Sequence, residues 1–214
     1  RGELEVHWVK VAGKFQVGVL KVLSARVLER EGAAPFAAHQ EILTQSKSVG
    51  SCAPTIVKDI NGDGLPEILL PGANEVHWNR GGWKFERSPL FSHYPTELTA
   101  GVAADFNGDG RVDIFGLPQQ GQPWLYVADD SGRFIARPQA IRVSVTELEG
   151  HSAVTAGDVD GDNDLDIWVM QYKFPYVRGQ FPTPYYDAND GYPSYLLLND
   201  GHGKFTEATG AAGL

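Results

Sequence analysis

Three acidic loops with the same residue order constrain the fold of this chain more than any other feature. They read Asp59-Ile-Asn-Gly-Asp-Gly-Leu-Pro-Glu67, Asp105-Phe-Asn-Gly-Asp-Gly-Arg-Val-Asp113 and Asp158-Val-Asp-Gly-Asp-Asn-Asp-Leu-Asp166. Each of these loops, called here loops one, two and three, carries side-chain oxygens at its first, third, fifth and ninth positions and precedes an apolar run. A motif that recurs at nearly even intervals predicts a fold built from repeats.

The oxygen spacing within each loop is typical of a site for a hard divalent cation, above all Ca²⁺. The loops close in nine positions between β-like runs, whereas an EF-hand needs twelve positions, a terminal Glu and flanking helices. Asx-rich turns without a metal are the alternative. We expect about three Ca²⁺ sites, each with side-chain oxygens from positions one, three, five and nine and the backbone carbonyl of position seven. The predicted ligands are Asp59, Asn61, Asp63, Leu65 and Glu67 in loop one; Asp105, Asn107, Asp109, Arg111 and Asp113 in loop two; and Asp158, Asp160, Asp162, Asp164 and Asp166 in loop three.

The three loops are expected to differ in affinity. Loop three has a carboxylate at every ligand position and ranks first, and loop two ranks second. Loop one ranks last because Glu67 is longer than Asp and Pro66 lacks a backbone donor.

The charge of the chain supports binding to cations and argues against nucleic acid. The formal net charge is -9, and the loops contain 11 of the 27 acidic residues. Three bound Ca²⁺ ions would bring the charge to -3 (-9 + 6). No basic stripe offers a surface for nucleic acid, and no apolar run approaches the roughly 20 residues that cross a membrane.

The segments around each loop predict an all-β fold, a partial β-propeller of four-stranded antiparallel blades. A short strand precedes each loop, the apolar second strand follows it, and an aromatic or leucine-rich third strand comes next. A Gly-bearing turn then leads into a fourth strand that opens near Phe85, Phe134 or Phe205. The third and fourth strands are predicted to form a hairpin. The cation loops therefore connect the first and second strands of each blade.

We expect the whole chain, 1–214, to form one propeller segment. The expected parts are an incomplete blade and connection at 1–50, blades at 51–97, 98–149 and 150–209, and the start of another blade at 210–214. Propellers close with roughly four to eight blades, so this segment of about three and a half blades is expected to be a piece of a longer protein or to be completed by another subunit.

A tyrosine-rich insertion at 171–195 lengthens the third blade and carries six of the eight tyrosines. Tyrosine offers a large contact area with a polar tip, so a recognition surface for a sugar or a protein is one hypothesis. Packing of the insertion over its own or a neighbouring blade is the alternative. The candidate ligand-binding residues are Tyr176, Arg178, Tyr185 and Tyr186.

The loops and the strands that follow them resemble FG-GAP/VCBS repeats, the blade units of integrin-α-type propellers. The segments 157–169 and 196–214 are similar to secreted bacterial relatives of the cartilage acidic protein family. The resemblance covers roughly 53–214 and, more weakly, 4–15. It implies a Ca²⁺-binding propeller outside the cytoplasm, extracellular, periplasmic or on the cell surface, that usually has no chemistry of its own.

Three functions are compatible with these patterns. The first is a non-catalytic calcium-binding module that recognises a protein or carbohydrate ligand. The second is a polysaccharide-acting enzyme on a propeller, with His151 and Arg178 as its best candidates, although the six histidines lack metal-ligand spacing and no Gly-x-Ser-x-Gly elbow occurs. The third is a structural subunit of a larger assembly that another chain completes.

Overall fold

The computed structural model describes residues 2–11, 13–25, 41–44, 53–118, 121–143, 151–171 and 192–211. The chain divides into two compact units, Arg1–Glu41 and Ile42–Leu214. Among the described residues, no helix is long and apolar enough to cross a membrane. The domain boundaries inferred from the repeat stay a prediction.

The first unit contains one antiparallel hairpin of two long strands, β1 (Gly2–Val11) and β2 (Lys14–Ala25). Val11 pairs with Lys14 at the end of the hairpin, and Gly13 between them has a φ of 83°. Positive φ is the region that glycine adopts without steric cost. Apolar side chains along both strands are exposed, including Trp8 (61%) and Phe15 (69%).

The second unit contains three four-stranded antiparallel sheets, and each sheet follows the predicted blade order. The connections between first and second strands are loops one, two and three. The strands of the first blade are β3 (Ile56–Lys58), β4 (Glu67–Leu70), β5 (Glu75–Asn79) and β6 (Phe85–Pro89). Those of the second are β7 (Leu98–Ala104), β8 (Asp113–Pro118), β9 (Trp124–Tyr126) and β10 (Gln139–Ala140). Those of the third are β11 (His151–Gly157), β12 (Asp166–Gln171), β13 (Tyr195–Asn199) and β14 (Phe205–Glu207). The prediction of an all-β partial propeller is confirmed.

The core lies between neighbouring blades, and the central strand β8 of the second blade is covered on both faces. All six residues of β8 are buried, so this strand is nearly continuous in apolar residues and does not alternate. Its side chains divide between two clusters: Ile114 packs with the first blade, and Phe115 packs with the third. A single 3-10 turn, Pro71–Ala73, joins β4 to β5.

The fourth strand of the second blade begins later than predicted. The aromatic that was expected to open it, Phe134, forms instead an isolated bridge with Phe91 of the preceding segment. The Ser92 N–H donates to the Phe134 carbonyl (3.0 Å), and the Phe134 ring packs edge-on against Phe91. Burial of this ring between the blades displaces the strand, so β10 starts at Gln139.

Candidate cation sites

The first aspartate of each loop holds the loop in its curled shape. In loop one, the N–H groups of Gly62 and Gly64 donate to the two carboxylate oxygens of Asp59, each at 2.8 Å. Asp105 accepts the equivalent bonds in loop two, again at 2.8 Å. In loop three, Asn163 takes the place of the second glycine with a φ of 73°, a region that Asn tolerates better than most residues.

Loop three brings three carboxylates together in a cluster that could hold a metal ion. One oxygen from each of Asp158, Asp160 and Asp166 lies within 4.8 Å of the other two. Ca²⁺ takes oxygen ligands at about 2.3–2.6 Å, so two oxygens bound to one ion are at most about 5 Å apart. The donor set of loop three therefore fits a calcium-sized cation.

In loop three, the fifth-position residue Asp162 is hydrogen-bonded to Asp164, whose backbone carbonyl is expected to bind the cation. The Asp164 N–H donates to Asp162 Oδ1 at 3.1 Å. The Asp164 side-chain oxygen Oδ1 is buried and has no hydrogen-bond partner. An orphaned buried carboxylate oxygen is costly unless a cation or a proton satisfies it. The Asp164 side chain is thus a further candidate donor that the loop pattern did not indicate.

Loops one and two carry Asn at the third position, and there the amide links the loop to itself. Asn107 Nδ2 donates to Asp109 Oδ2 at 2.9 Å, and Asn61 makes the same bond to Asp63 at 3.1 Å. The carbonyl oxygen of each Asn accepts the backbone N–H of the fifth-position residue at 3.0 Å. These contacts close each loop on itself through its third- and fifth-position residues.

Loop two contains a feature that the sequence pattern did not reveal, because the pattern used only the backbone of Arg111. The Arg111 guanidinium donates to Asp109 Oδ2 (2.7 Å) and lies 3.1 Å from the carboxylate of Asp130 in the hairpin of the same blade. A fixed positive charge on a predicted ligand opposes cation binding. This contact agrees with the expectation that loop two binds less tightly than loop three.

The ninth-position acid of each loop is buried and accepts hydrogen bonds from the backbone. Asp113 accepts the N–H groups of Phe106 (3.2 Å) and Ala128 (3.1 Å), which joins loop two to its own hairpin. Asp166 accepts the N–H groups of Val159 (2.8 Å) and Asn199 (2.9 Å) in the same manner. These carboxylates fasten the loop to the hairpin in addition to their predicted role at a cation.

Glu67 fills this position in loop one with a different geometry. Its Oε2 accepts the Ile60 N–H at 3.0 Å, whereas its Oε1 is buried without a hydrogen-bond partner. The Asn79 N–H lies close enough to lower the Glu67 pKa, but outside standard hydrogen-bond geometry. Burial nevertheless raises the pKa of Glu67 above its ordinary value. The longer side chain therefore leaves one oxygen available for a cation.

Several loop carboxyls have raised pKa values in the metal-free chain. Burial raises the pKa of Asp113 to about 6, against the opposing effect of its two backbone donors. Loss of hydration, the close approach of the Asp162 side chain and the other surrounding carboxylates raise the pKa of Asp164. A raised pKa means that the ionised carboxylates are under-compensated, and a divalent cation would supply the missing charge.

These pKa values predict the pH dependence of the metal-free fold. The folded Asp113 has a pKa of about 6 and the unfolded group one near 3.8, so between these values the folded state binds more protons. In chelator, the contribution of Asp113 to the free energy of unfolding should therefore be fully present below about pH 4 and be lost as pH rises through 6. Urea unfolding of the wild type and of Asp113→Asn at several pH values measures this contribution as their difference. With 2 mM Ca²⁺ the fall should vanish, because the bound ion favours the ionised carboxylates; a wild-type advantage that grows from pH 4 to 7 in chelator would contradict the assignment.

The hairpins of the second and third blades also rest on the loop of the preceding blade, an arrangement that the sequence does not reveal. The Asn199 side chain donates to the carbonyl of Phe106 in loop two (2.8 Å) and to that of Leu165 in loop three (3.2 Å). Gly132 of the second hairpin is buried against loop one, and a Cβ there would overlap the carbonyl oxygen of Ile60. Neighbouring loops are thus held at a fixed separation by the hairpin between them.

The other candidate residues are placed as follows. His151 is the first residue of β11. The proposed ligand-binding residues Tyr176, Arg178, Tyr185 and Tyr186 lie outside the described residues. Tyr195, at the end of the same insertion, is buried in the core between the second and third blades.

Comparison with known proteins identifies the repeat. The family model for the FG-GAP-like repeat matches residues 59–116 and 105–169, together slightly more than half of the chain. None of the curated proteins compared with the chain matches it.

Two solved structures are similar to the chain. One is a lectin of Agrocybe aegerita described as recognising non-reducing terminal N-acetylglucosamine, with 20% identity, a TM-score of 0.45, and coverage of 73% of this chain and 38% of its own. The other is the V. cholerae biofilm matrix protein Bap1, with 21% identity, a TM-score of 0.44, and coverage of 78% and 21%. The chain thus spans well under half the length of either protein.

Proposed function

Because the chain belongs to the FG-GAP-like repeat family, we propose that it is a non-catalytic, calcium-stabilised module that recognises or organises a protein or carbohydrate ligand outside the cytoplasm. The observation that carries the proposal is the loop-three cluster, in which oxygens of Asp158, Asp160 and Asp166 lie within 4.8 Å of one another. Loops one and two repeat the same curl and donor order, which supports about three Ca²⁺ sites.

The bound calcium would stabilise the fold and would take no part in a reaction. Each ion would neutralise a carboxylate cluster at the connection between the first and second strands of a blade. At a dissociation constant of about 0.1 mM and a free Ca²⁺ concentration of about 2 mM, one site contributes roughly 1.8 kcal/mol to the free energy of unfolding. Sites of that strength fill outside cells and not in the cytosol, which supports an extracellular, periplasmic or cell-surface location.

The ligand would be recognised away from the cation loops. Successive connections of an antiparallel blade alternate between its two ends, so β12 ends and β13 begins at the end opposite loop three. A ligand surface formed by the segment between these strands would lie at that end. Tyr176, Arg178, Tyr185 and Tyr186 are the proposed contacts, since tyrosine and arginine supply both stacking area and hydrogen-bond donors. The chemistry of the ligand, protein or carbohydrate, stays open in this proposal.

Calcium-dependent melting of matched variants tests the proposal. In 2 mM Ca²⁺ the wild-type chain should melt about 5 °C higher per occupied site than in chelator, at roughly 3 °C per kcal/mol. Asp158→Ala removes the first ligand of loop three and should lower the Ca²⁺-dependent gain by about one site. Glu97→Ala, a control at an exposed acidic residue outside the loops, should keep the full gain. A wild-type melting temperature that Ca²⁺ leaves unchanged would refute the proposed stabilisation.

A further inference from the structure

A cavity of about 300 Å³ lies between the first blade and the hairpin of the second blade. Its wall is apolar and buried, and the residues that form this wall are Ile60, Trp78, Leu90 and Phe134. Small-molecule sites have volumes of roughly 300–1,000 Å³ and combine an apolar wall with a few polar groups. The described lining residues include none of the predicted cation ligands, so this cavity is separate from the candidate cation sites.

Three charged side chains line the exposed rim of the cavity, Arg80, Glu86 and Arg133, with a formal charge of +1 (+2 - 1). Arg80 donates to a single oxygen of Glu86, Oε2, through both Nε (3.0 Å) and Nη2 (2.8 Å). The other carboxylate oxygen of Glu86, Oε1, is therefore an acceptor that a hydroxyl group of a ligand can use. The rim thus offers both a hydrogen-bond acceptor and a positive charge.

Arg133 carries the positive charge that the rim leaves unbalanced. Its guanidinium forms no salt bridge within the part of the chain that the structure describes, and its Cζ lies 6.0 Å from the centre of the Trp78 ring. The Trp78 ring is itself held in place, because its Nε1 donates to Ser88 Oγ at 2.8 Å. A guanidinium is planar and binds a carboxylate through two parallel hydrogen bonds. Arg133 is therefore suited to hold the carboxylate of a ligand beside the apolar wall.

The first blade differs from the other two at two positions that line the cavity. Counted back from the phenylalanine that follows each hairpin turn, Trp78 lies where the other blades have Val127 and Leu198. Arg80 lies where both other blades have an aspartate. A blade therefore forms with a smaller apolar residue and an acid at these positions, so the fold does not require the tryptophan and the arginine. Their presence beside one cavity favours a ligand site in the first blade.

We propose that this cavity binds a hexuronate, a sugar that carries a carboxylate, as a second ligand site beyond the surface proposed for the insertion. The carboxylate of the sugar would accept hydrogen bonds from the Arg133 guanidinium, and one of its hydroxyl groups would donate to Glu86 Oε1. The C–H face of the sugar ring would lie against the apolar wall beside Trp78. Binding would need no calcium, because the contacts use none of the predicted cation ligands.

The arrangement of the cavity favours an acidic sugar over an acidic peptide. A pyranose ring carries hydroxyl groups around its edge and C–H groups on its faces, so it can contact a polar rim and an apolar wall at once. An acidic peptide shares only the carboxylate, and the carboxylate of Glu86 at the rim repels a second acidic side chain. A volume at the lower limit of small-molecule sites fits one sugar ring and not a longer oligosaccharide.

NMR titration of the full chain with sodium glucuronate tests this site. The indole N–H signal of Trp78 should shift and saturate. Arg133→Ala should raise the dissociation constant at least about 10-fold, the scale of a lost hydrogen bond to a charged group. Arg133→Lys keeps the charge but not the planar fork, so its constant should lie between the two. Lys204→Ala removes the same charge at the equivalent exposed position of the third blade and should bind like the wild type. Arg133 is exposed, so its variants should fold, and circular dichroism checks this.

Two further compounds test the class of ligand. Glucose lacks the carboxylate and acetate lacks the ring, so each should bind at least about 10-fold more weakly than glucuronate. An unshifted Trp78 signal, wild-type affinity in Arg133→Ala, or tighter binding of a capped glutamate peptide than of glucuronate would overturn the proposal. The dissociation constant should be the same in 2 mM Ca²⁺ and in chelator. A melting temperature that calcium leaves unchanged would therefore refute the calcium role proposed above and leave this site in place.

Discussion

Gly132→Ala should lower the free energy of unfolding by about 4 kcal/mol, more than any other single-methyl addition considered in this chain. Its Cβ would overlap the Ile60 carbonyl oxygen and lie 2.8 Å from the carbonyl carbon and 3.1 Å from Asn61 Cα. Backbone atoms cannot turn aside as a flexible side chain can, so the second hairpin must move off loop one. Overpacking of this kind costs about 1–3 kcal/mol, and alanine in the left-handed region adds about 1–2 kcal/mol.

Two other glycines provide a graded control for this prediction. Gly82 lies at the tip of the first hairpin with a φ of 57° and open space around its Cβ, so Gly82→Ala should cost only the backbone term of about 1 kcal/mol. Gly203→Ala should fall between them at about 2 kcal/mol, because its nearest neighbour is the flexible Leu125 side chain at 3.0 Å. Urea unfolding measures all three. Equal losses for Gly132 and Gly82 would show that the hairpin does not rest on the preceding loop.

Asp113→Ala should be the second strongly destabilising change, with a loss of about 3 kcal/mol at pH 5 in chelator. The change leaves the buried N–H groups of Phe106 and Ala128 without an acceptor, at about 1–3 kcal/mol each. At pH 5 the folded carboxyl, with a pKa of about 6, is mostly protonated, so its ionisation costs little. At pH 7 the same comparison should give a smaller loss, because alanine also removes the cost of a buried charge.

The conservative variant and a surface variant separate this hydrogen-bond role from general damage. Asp113→Asn keeps one acceptor oxygen and should lose about half as much stability as Asp113→Ala at pH 5. Asp130→Ala, whose side chain is 98% exposed, should change the unfolding free energy by less than about 0.5 kcal/mol. If Asp113→Ala cost less than about 1 kcal/mol at pH 5, the carboxylate would not fasten loop two to its hairpin.

The strand order and the position of the loops could be predicted from the sequence because both are local. The spacing of the oxygen-bearing residues identifies each loop, and the apolar run that follows the loop predicts a buried central strand of the blade. The curl of loop one around Asp59 likewise depends only on residues within five positions of it. Such short-range patterns need no knowledge of neighbouring blades.

The parts that were missed depend on contacts between blades. Phe134 resembles the opening of a strand, but its place is set by Phe91, which lies more than forty residues earlier in the chain. Gly132 looks like an ordinary hairpin glycine, and only the nearness of Ile60 makes its missing side chain necessary. The role of Arg111 was missed for the same reason. Its guanidinium pairs with both Asp109 and Asp130, and the loop spacing does not indicate that Asp130 lies near the loop.

The number of Ca²⁺ ions bound per chain, measured by equilibrium dialysis against 2 mM Ca²⁺ with metal analysis, tests the central claim most directly. We predict about three ions for the wild-type chain and one fewer for Asp158→Ala, with Glu97→Ala, at an exposed residue outside the loops, equal to the wild type. Less than one ion per folded wild-type chain would contradict the account, since the three acidic loops would then be turns that hold no cation.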